Sequence, residues 1–281
     1  MRFGVTVFLT DQGIDPVTAA RAAEERGFSS LFMPEHTHVP ASRATPAPMG
    51  EPLPEQYYRC LDPFVALMAA AAATERLRVG TGICLVAQHD PIDLAKQVAS
   101  IDVLSGGRFD FGIGFGWNVE EMAHHGVDYA RRREVVREKM LAMKALWSSE
   151  TAGFDGEFVR FAPSFSWPKP SQRPNPPVFI GGAGGPKLFA AIAEYADGWM
   201  PIGGRGVKAK LPLLQDAFAS AGRDPADIRV VPFGSIPDPG KLEYFASLGI
   251  DELIIGLTYG SADVVLPEMD KIAEMVAPFV N

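Results

Sequence analysis

A chain of 281 residues with 47% apolar and 21% charged residues has ample apolar surface for a large core and the composition of an ordinary globular protein. Its formal charge of -8 excludes nucleic acid as the main partner, because a phosphate-tracking surface needs clustered Lys and Arg. The two cysteines, Cys60 and Cys84, offer no disulfide framework, no secretory leader pattern opens the chain, and the apolar run from Phe64 to Ala73 is too short to span a bilayer, so a cytoplasmic location without membrane contact is expected.

Taken in chain order, Arg2 to Leu9 is a β-branched and aromatic run that predicts a first strand. Asp15 and Pro16 then open a helix that Gly27 ends, with Val17, Ala20 and Ala23 on one small apolar face. Ser29 to His36 is a second strand, and a long Pro-rich loop, Thr37 to Arg59, leads to Asp62-Pro63 and a helix through Ala73. The third strand is Leu77 to Val86, with Asp90-Pro91 and a helix to Ser105, and the fourth is Arg108 to Gly116, followed by helical sequence that includes YARRREVVREKMLAMKALW. Strands five to eight are Pro176 to Gly182, Gly198 to Gly204, Asp227 to Gly234 and Glu252 to Thr258, each followed by a helical pattern. Eight continuous apolar strands alternating with helices predict a parallel sheet covered on both faces and closed as a (β/α)₈ TIM barrel, one α/β domain over residues 1–281. One insertion breaks the rhythm at 151–177, where Asp155-Gly156 is a hairpin signal and later prolines forbid helix; a small β-ribbon and lid are expected.

FGIGFGWNVEE, Phe111 to Glu121, resembles the start of a dinucleotide-binding fingerprint, but the third glycine position holds Trp117 and three strand-helix units precede it. In a barrel the same stretch is a strand end, and strand C-terminal ends are where chemistry sits. The glycine doublets in FIGGAGG and PIGGRG offer backbone N–H groups to a phosphate without a Cβ in the way, which favours a phosphate-bearing ligand. His36 and His38 could begin a hydrolytic metal site, but no histidine follows His125 and the later strand ends offer glycine and apolar residues; no metal site is expected. Cys84 reads as a small buried hydrophobe rather than a nucleophile.

Taken together, FMPEHTH, LRVGTGICLV with HDPIDLAKQVASIDVLSGGRF, FGIGFGWNVEEM and PPVFIGGAGGPKLFAAIAEYADGWMP resemble the bacterial luciferase-like superfamily of flavin and deazaflavin barrels, over nearly the whole chain. The pattern looks most like the actinobacterial branch of coenzyme F420-dependent oxidoreductases. That resemblance implies a tricyclic ring in the barrel mouth against a bulge at the end of strand three, often with a non-prolyl cis peptide, at Gly82 and Ile83 with Thr81 beside them. It also implies Glu35 and His36 at the ring's polar edge, Gly116, Trp117, Asn118 and Glu121 along the ring or sugar-like chain, and Gly181, Gly182 and Ala183 at the phosphate. A homodimer is implied in the same way.

Three functions stay open at this point. A deazaflavin enzyme would pass a hydride to or from a small organic substrate, with His36 either the catalytic proton carrier or only a cofactor contact. An FMN-dependent monooxygenase would use the same barrel with oxygen, and a ring-binding protein without turnover would block the substrate face with Trp117, Tyr57 or Tyr58. The deazaflavin tail carries extra carboxylates, for which Arg43, Lys169, Arg173, Lys187, Arg205 and Lys208 offer a basic rim.

Overall fold

The computed structural model describes residues 1–280. The strands in chain order are β1 (Arg2–Thr6), β2 (Ser30–Met33), β3 (Arg78–Cys84), β4 (Phe109–Ile113), β5 (Thr151–Asp155), β6 (Arg160–Phe165), β7 (Val178–Gly181), β8 (Gly198–Met200), β9 (Arg229–Val230) and β10 (Glu252–Gly256). Eight of them form one parallel sheet in the order β10-β1-β2-β3-β4-β7-β8-β9. The seam between its two end strands is closed by Ile254 N–H donating to Pro232 O at 2.9 Å and Ser235 N–H donating to Ile254 O at 3.1 Å. The sheet is therefore a (β/α)₈ barrel, as the alternation of strands and helices predicts.

The helices are α1 (Pro16–Glu25), α2 (Pro63–Ala72), α3 (Pro91–Leu104), α4 (Val119–His124), α5 (Arg132–Ser148), α6 (Pro186–Tyr195), α7 (Val207–Ser220), α8 (Pro239–Ser247) and α9 (Ala262–Val276). The recurring Asp-Pro pairs work as the sequence suggests: Asp15, Asp62, Asp90 and Asp238 each accept a first-turn backbone N–H, and the following proline occupies a position whose N–H would have no helical partner. On β2, Leu31 and Met33 pack with the helices while Phe32 turns to the barrel axis, where Phe179, Met200, Val231 and Ile254 meet it. Ile83 and Phe233 cap this inner cluster.

Every barrel strand is shorter than the sequence reading, and three differences from that reading have a clear cause. The sixth strand candidate ends early: β8 stops at Met200, because Pro201 has no N–H to give and Gly203 and Gly204 have positive φ of 63° and 71°. For the same reason β9 is only two residues long, ahead of Pro232 and Gly234. The helical sequence after β4 divides into α4 and α5 at Gly126, with a short turn that Asp128 caps. Segment 151–177 holds the antiparallel pair β5–β6, whose turn is fastened to α5 by the Glu138 carboxylate accepting from Glu157, Phe158 and Val159 N–H. Among the described residues no helix is long and apolar enough to cross a membrane.

Asp90 Oδ1 accepts from both Ile92 and Asp93 N–H at 2.8 and 3.1 Å. Asp90→Ala is expected to lower the unfolding free energy by about 1 kcal/mol, read as a lower urea midpoint at unchanged m-value.

Candidate active site

The barrel mouth opens into a cavity of about 520 Å³. Its floor is the end of β3. There the ladder with β4 shifts register between Thr81 and Cys84, and the Gly82–Ile83 peptide is cis. Across the floor β4 comes close: a β-carbon at Gly114 would fall 1.7 Å from Ile83 Cδ1, and Gly116 has a positive φ of 72°. The glycines of FGIGFG thus serve close backbone approach between strand ends.

Two glutamate–histidine pairs flank the floor, and they start from neighbouring residues. Glu35 is buried and its carboxylate accepts from Leu85 N–H at 2.6 Å and His89 Nε2 at 2.7 Å. Burial alone would raise the Glu35 carboxyl, but the hydrogen bonds from His89 and Leu85 outweigh it and hold the group below the usual carboxylate range. Burial likewise opposes a charge on His89, and the Glu35 carboxylate overcomes it and raises the imidazole. From the other side Lys139 of α5 donates to Ala87 O at 2.7 Å and His89 O at 2.5 Å, with burial lowering its pKa to about 8.

His36 turns to a different partner. Its Nδ1 lies 2.8 Å from Glu121 Oε2, and because a carboxylate can only accept, Nδ1 carries the proton and Nε2 is left as the free ring nitrogen. Its ring stands edge-on to Trp117 at 5.8 Å and beside Tyr57 at 5.4 Å. Glu121 is fully buried in α4, which Asn118 caps through Oδ1. Glu121 Oε1 and Asn118 Nδ2 are buried without a hydrogen-bond partner.

Of the residues that the sequence nominates, His36, Gly82, Ile83, Gly116, Trp117, Gly181, Gly182 and Ala183 come together on the cavity wall. Glu35 also reaches that wall, but its carboxylate is spent on Leu85 and His89. Thr81 does not: its hydroxyl donates to Gly112 O at 2.7 Å, inside the sheet. Asn118 and Glu121 lie one layer behind, and Glu121 meets the cavity only through His36. Tyr57 stands on the wall with Trp117, whereas Tyr58 is exposed outside it. The sequence reading missed Arg132 and Arg133, which line the cavity from the start of α5, because a run of three arginines at a helix start reads as a solvated surface. It also missed Met49, Phe115, Ile202 and Phe233, apolar wall residues from four separate segments.

The basic rim is re-sorted. Arg43 is paired with Glu51 and stands over Trp117, and Lys169 is not on the rim: it donates to Leu146 O and Ser149 O at the end of α5 away from the mouth. Glu35, Cys84 and His89 place one donor atom each within 4.8 Å of one another. Hydrogen bonding accounts for the cluster, and burial together with the Glu35 carboxylate pushes the Cys84 thiol well above its usual range, which opposes the thiolate a metal would need.

A parallel barrel thus closes around a glycine-rich mouth, with a shifted β3 end and a His–Glu pair at the wall. The chain belongs to the luciferase-like monooxygenase family, whose model matches residues 9–236. It is 46% identical over 282 residues to the uncharacterized protein Rv0953c of Mycobacterium tuberculosis, covering 99% of each chain. An F420-dependent hydroxymycolic acid dehydrogenase of the same organism is 27% identical over 216 residues, 75% of this chain and 56% of that one. An FMNH(2)-dependent dimethylsulfone monooxygenase of Pseudomonas putida is 32% identical over 160 residues, 54% of this chain and 42% of that one. Among solved structures, an F420-dependent secondary alcohol dehydrogenase in complex with an F420-acetone adduct superposes with a TM-score of 0.79 at 18% identity, covering 100% of both chains.

Two outcomes are expected. Glu35's contribution to stability is complete above its ordinary pKa of 4.5 and fades as pH falls through its lowered folded value, while that of His89 is complete below 6.5 and fades as pH rises through its raised folded value. His89→Gln should therefore cost most between those two values and progressively less above them, as measured by urea unfolding at about pH 5.5 and about pH 9. Gly114→Ala should displace Ile83 and weaken cofactor binding at least tenfold, roughly the effect of 1.4 kcal/mol, as read by a fluorescence titration.

Proposed function

We propose that this protein is a coenzyme F420-dependent oxidoreductase that transfers a hydride between the deazaflavin and a small organic substrate, with His36 as the proton carrier. The observation that carries the reading is the His36–Glu121 pair at the cavity wall: a buried carboxylate fixes the tautomer and leaves Nε2 to exchange a proton with a substrate oxygen. Hydride transfer to or from a carbonyl carbon needs such a partner for the oxygen. The likeness to the F420-dependent dehydrogenase of Mycobacterium tuberculosis supports the same reading.

The residues present fit the cofactor. Gly82 and Ile83 offer a flat floor for a ring, with Gly116 and Trp117 beside it. Gly181 and Gly182 present backbone without Cβ atoms; the Gly182 carbonyl is pinned by Trp199 Nε1 at 2.9 Å, and Arg132, whose Nε is buried without a partner, supplies positive charge for a phosphate. When bound, the deazaflavin supplies a two-electron hydride donor or acceptor that reacts poorly with oxygen. The chain's own part is to orient His36 through Glu121, to hold the His36 ring between Trp117 and Tyr57, and to keep the apolar wall of Met49, Ile202 and Phe233 against the substrate. The competing reading, an FMN-dependent monooxygenase, draws on the dimethylsulfone monooxygenase likeness.

Parallel titrations with oxidised coenzyme F420 and with FMN, followed by ligand fluorescence, separate the two. Tighter binding of the deazaflavin is expected; tighter binding of FMN would transfer the assignment to oxygen-using chemistry, and binding of neither would remove both. With a substrate in hand, His36→Ala is expected to lower kcat about 10²- to 10⁴-fold while the cofactor Kd moves only a few fold.

A further inference from the structure

A second cavity, of about 230 Å³, runs between α5 and α6 and shares Phe115 and Arg133 with the barrel mouth. It begins where the glycine loop before α6 ends, so it continues outward from the place where a cofactor phosphate would lie. Its charges are Arg133, Glu134, Arg137, Lys187 and Glu194. Both carboxylates are occupied: Glu134 is paired with Arg131, and Glu194 with Arg137. Among the described residues no carboxylate stands within ion-pair distance of Arg133 or Lys187.

We infer that this groove binds the carboxylate tail of the deazaflavin, the part of the cofactor that continues beyond its phosphate and that FMN lacks. The inference rests on the deazaflavin reading above. Arg133 lies over the Phe115 ring at 4.1 Å, on the wall common to the two cavities, and Lys187 stands in the first turn of α6. Arg132, next to Arg133 on the mouth side, keeps a buried Nε with no partner. Arg133 is exposed to solvent, so its guanidinium is open to an anion arriving in the groove. A monophosphate can reach Gly181 to Ala183, Arg132 and the mouth side of Arg133; only a ligand that is anionic past its phosphodiester can also reach Lys187, which lines the outer cavity alone.

Fluorescence titrations of the wild type and of Arg133→Ser/Lys187→Ser with three ligands decide the matter: coenzyme F420 with its glutamate tail, the monophosphate of the same deazaflavin, and FMN. The wild type is expected to bind the tailed cofactor about tenfold more tightly than the deazaflavin monophosphate, with the ratio shrinking as salt is raised. The double variant should bring that ratio close to one while still binding the monophosphate, with whatever affinity the loss of Arg133 at the mouth leaves it, which also shows that it is folded. Equal wild-type affinity with and without the tail, or a ratio that survives the double substitution, would overturn the groove assignment while leaving the deazaflavin reading standing. Failure of both deazaflavin ligands to bind would remove the two together.

Discussion

The end of β3 carries five consecutive buried residues, Cys84 to Gln88, as the chain leaves the sheet, and their backbone polar groups need partners that the ladder no longer supplies. Backbone bonds such as Gln88 N–H to Leu85 O at 2.8 Å supply some of them, and two charged side chains supply others. Glu35 takes the Leu85 N–H from the β2 side, and Lys139 donates to the Ala87 and His89 carbonyls from α5. An unsatisfied buried backbone group costs about 1–3 kcal/mol, so the path of this segment depends on those two contacts. The cavity floor at Gly82 and Ile83 lies directly ahead of it in the chain, and Leu85 itself forms part of the wall.

The same constraint organises the chemistry. Glu35 and His36 follow one another just past the end of β2 and turn to different partners, so one strand end serves two tasks. Glu35 turns back to His89 and the β3 end and becomes structural. His36 turns towards α4, where Glu121 fixes its tautomer. The two pairs cross-connect β2 with β3 and β2 with the α4 segment, so the wall that presents the free imidazole nitrogen is held by the elements that shape the floor.

Charge at the mouth follows a comparable division. Two cations near it are committed, Arg43 to Glu51 and Arg137 to Glu194. Arg132 and Arg133 are not neutralised by carboxylates, and they stand at the start of α5 facing the glycine loop that precedes α6. Adjacent like charges without a carboxylate partner favour a ligand that brings the opposite charge. The electrostatics of the mouth are thus those of an anion receptor, within a cavity whose remaining wall is apolar.

The barrel was legible in the sequence because its signal is local and repeated. Asp-Pro before each early helix, glycine after the first and third, and continuous apolar strands follow from capping, φ restriction and burial on both faces, which each segment carries by itself. Strand ends were less legible, since Pro201 and Pro232 stop hydrogen bonding within runs that remain apolar. The resemblance to luciferase-like barrels nominated most of the mouth, yet it could not say which way each side chain turns. Thr81 points into the sheet, Glu35 away from the ligand, and Glu121 acts only through His36, because those directions depend on partners 31, 54 and 85 residues distant. Arg133 is the clearest case. As the third of three arginines at a helix start it is indistinguishable from a solvated charge, and only the packing of α5 beside α6, which ties up the carboxylates around it, leaves it free at a cavity wall.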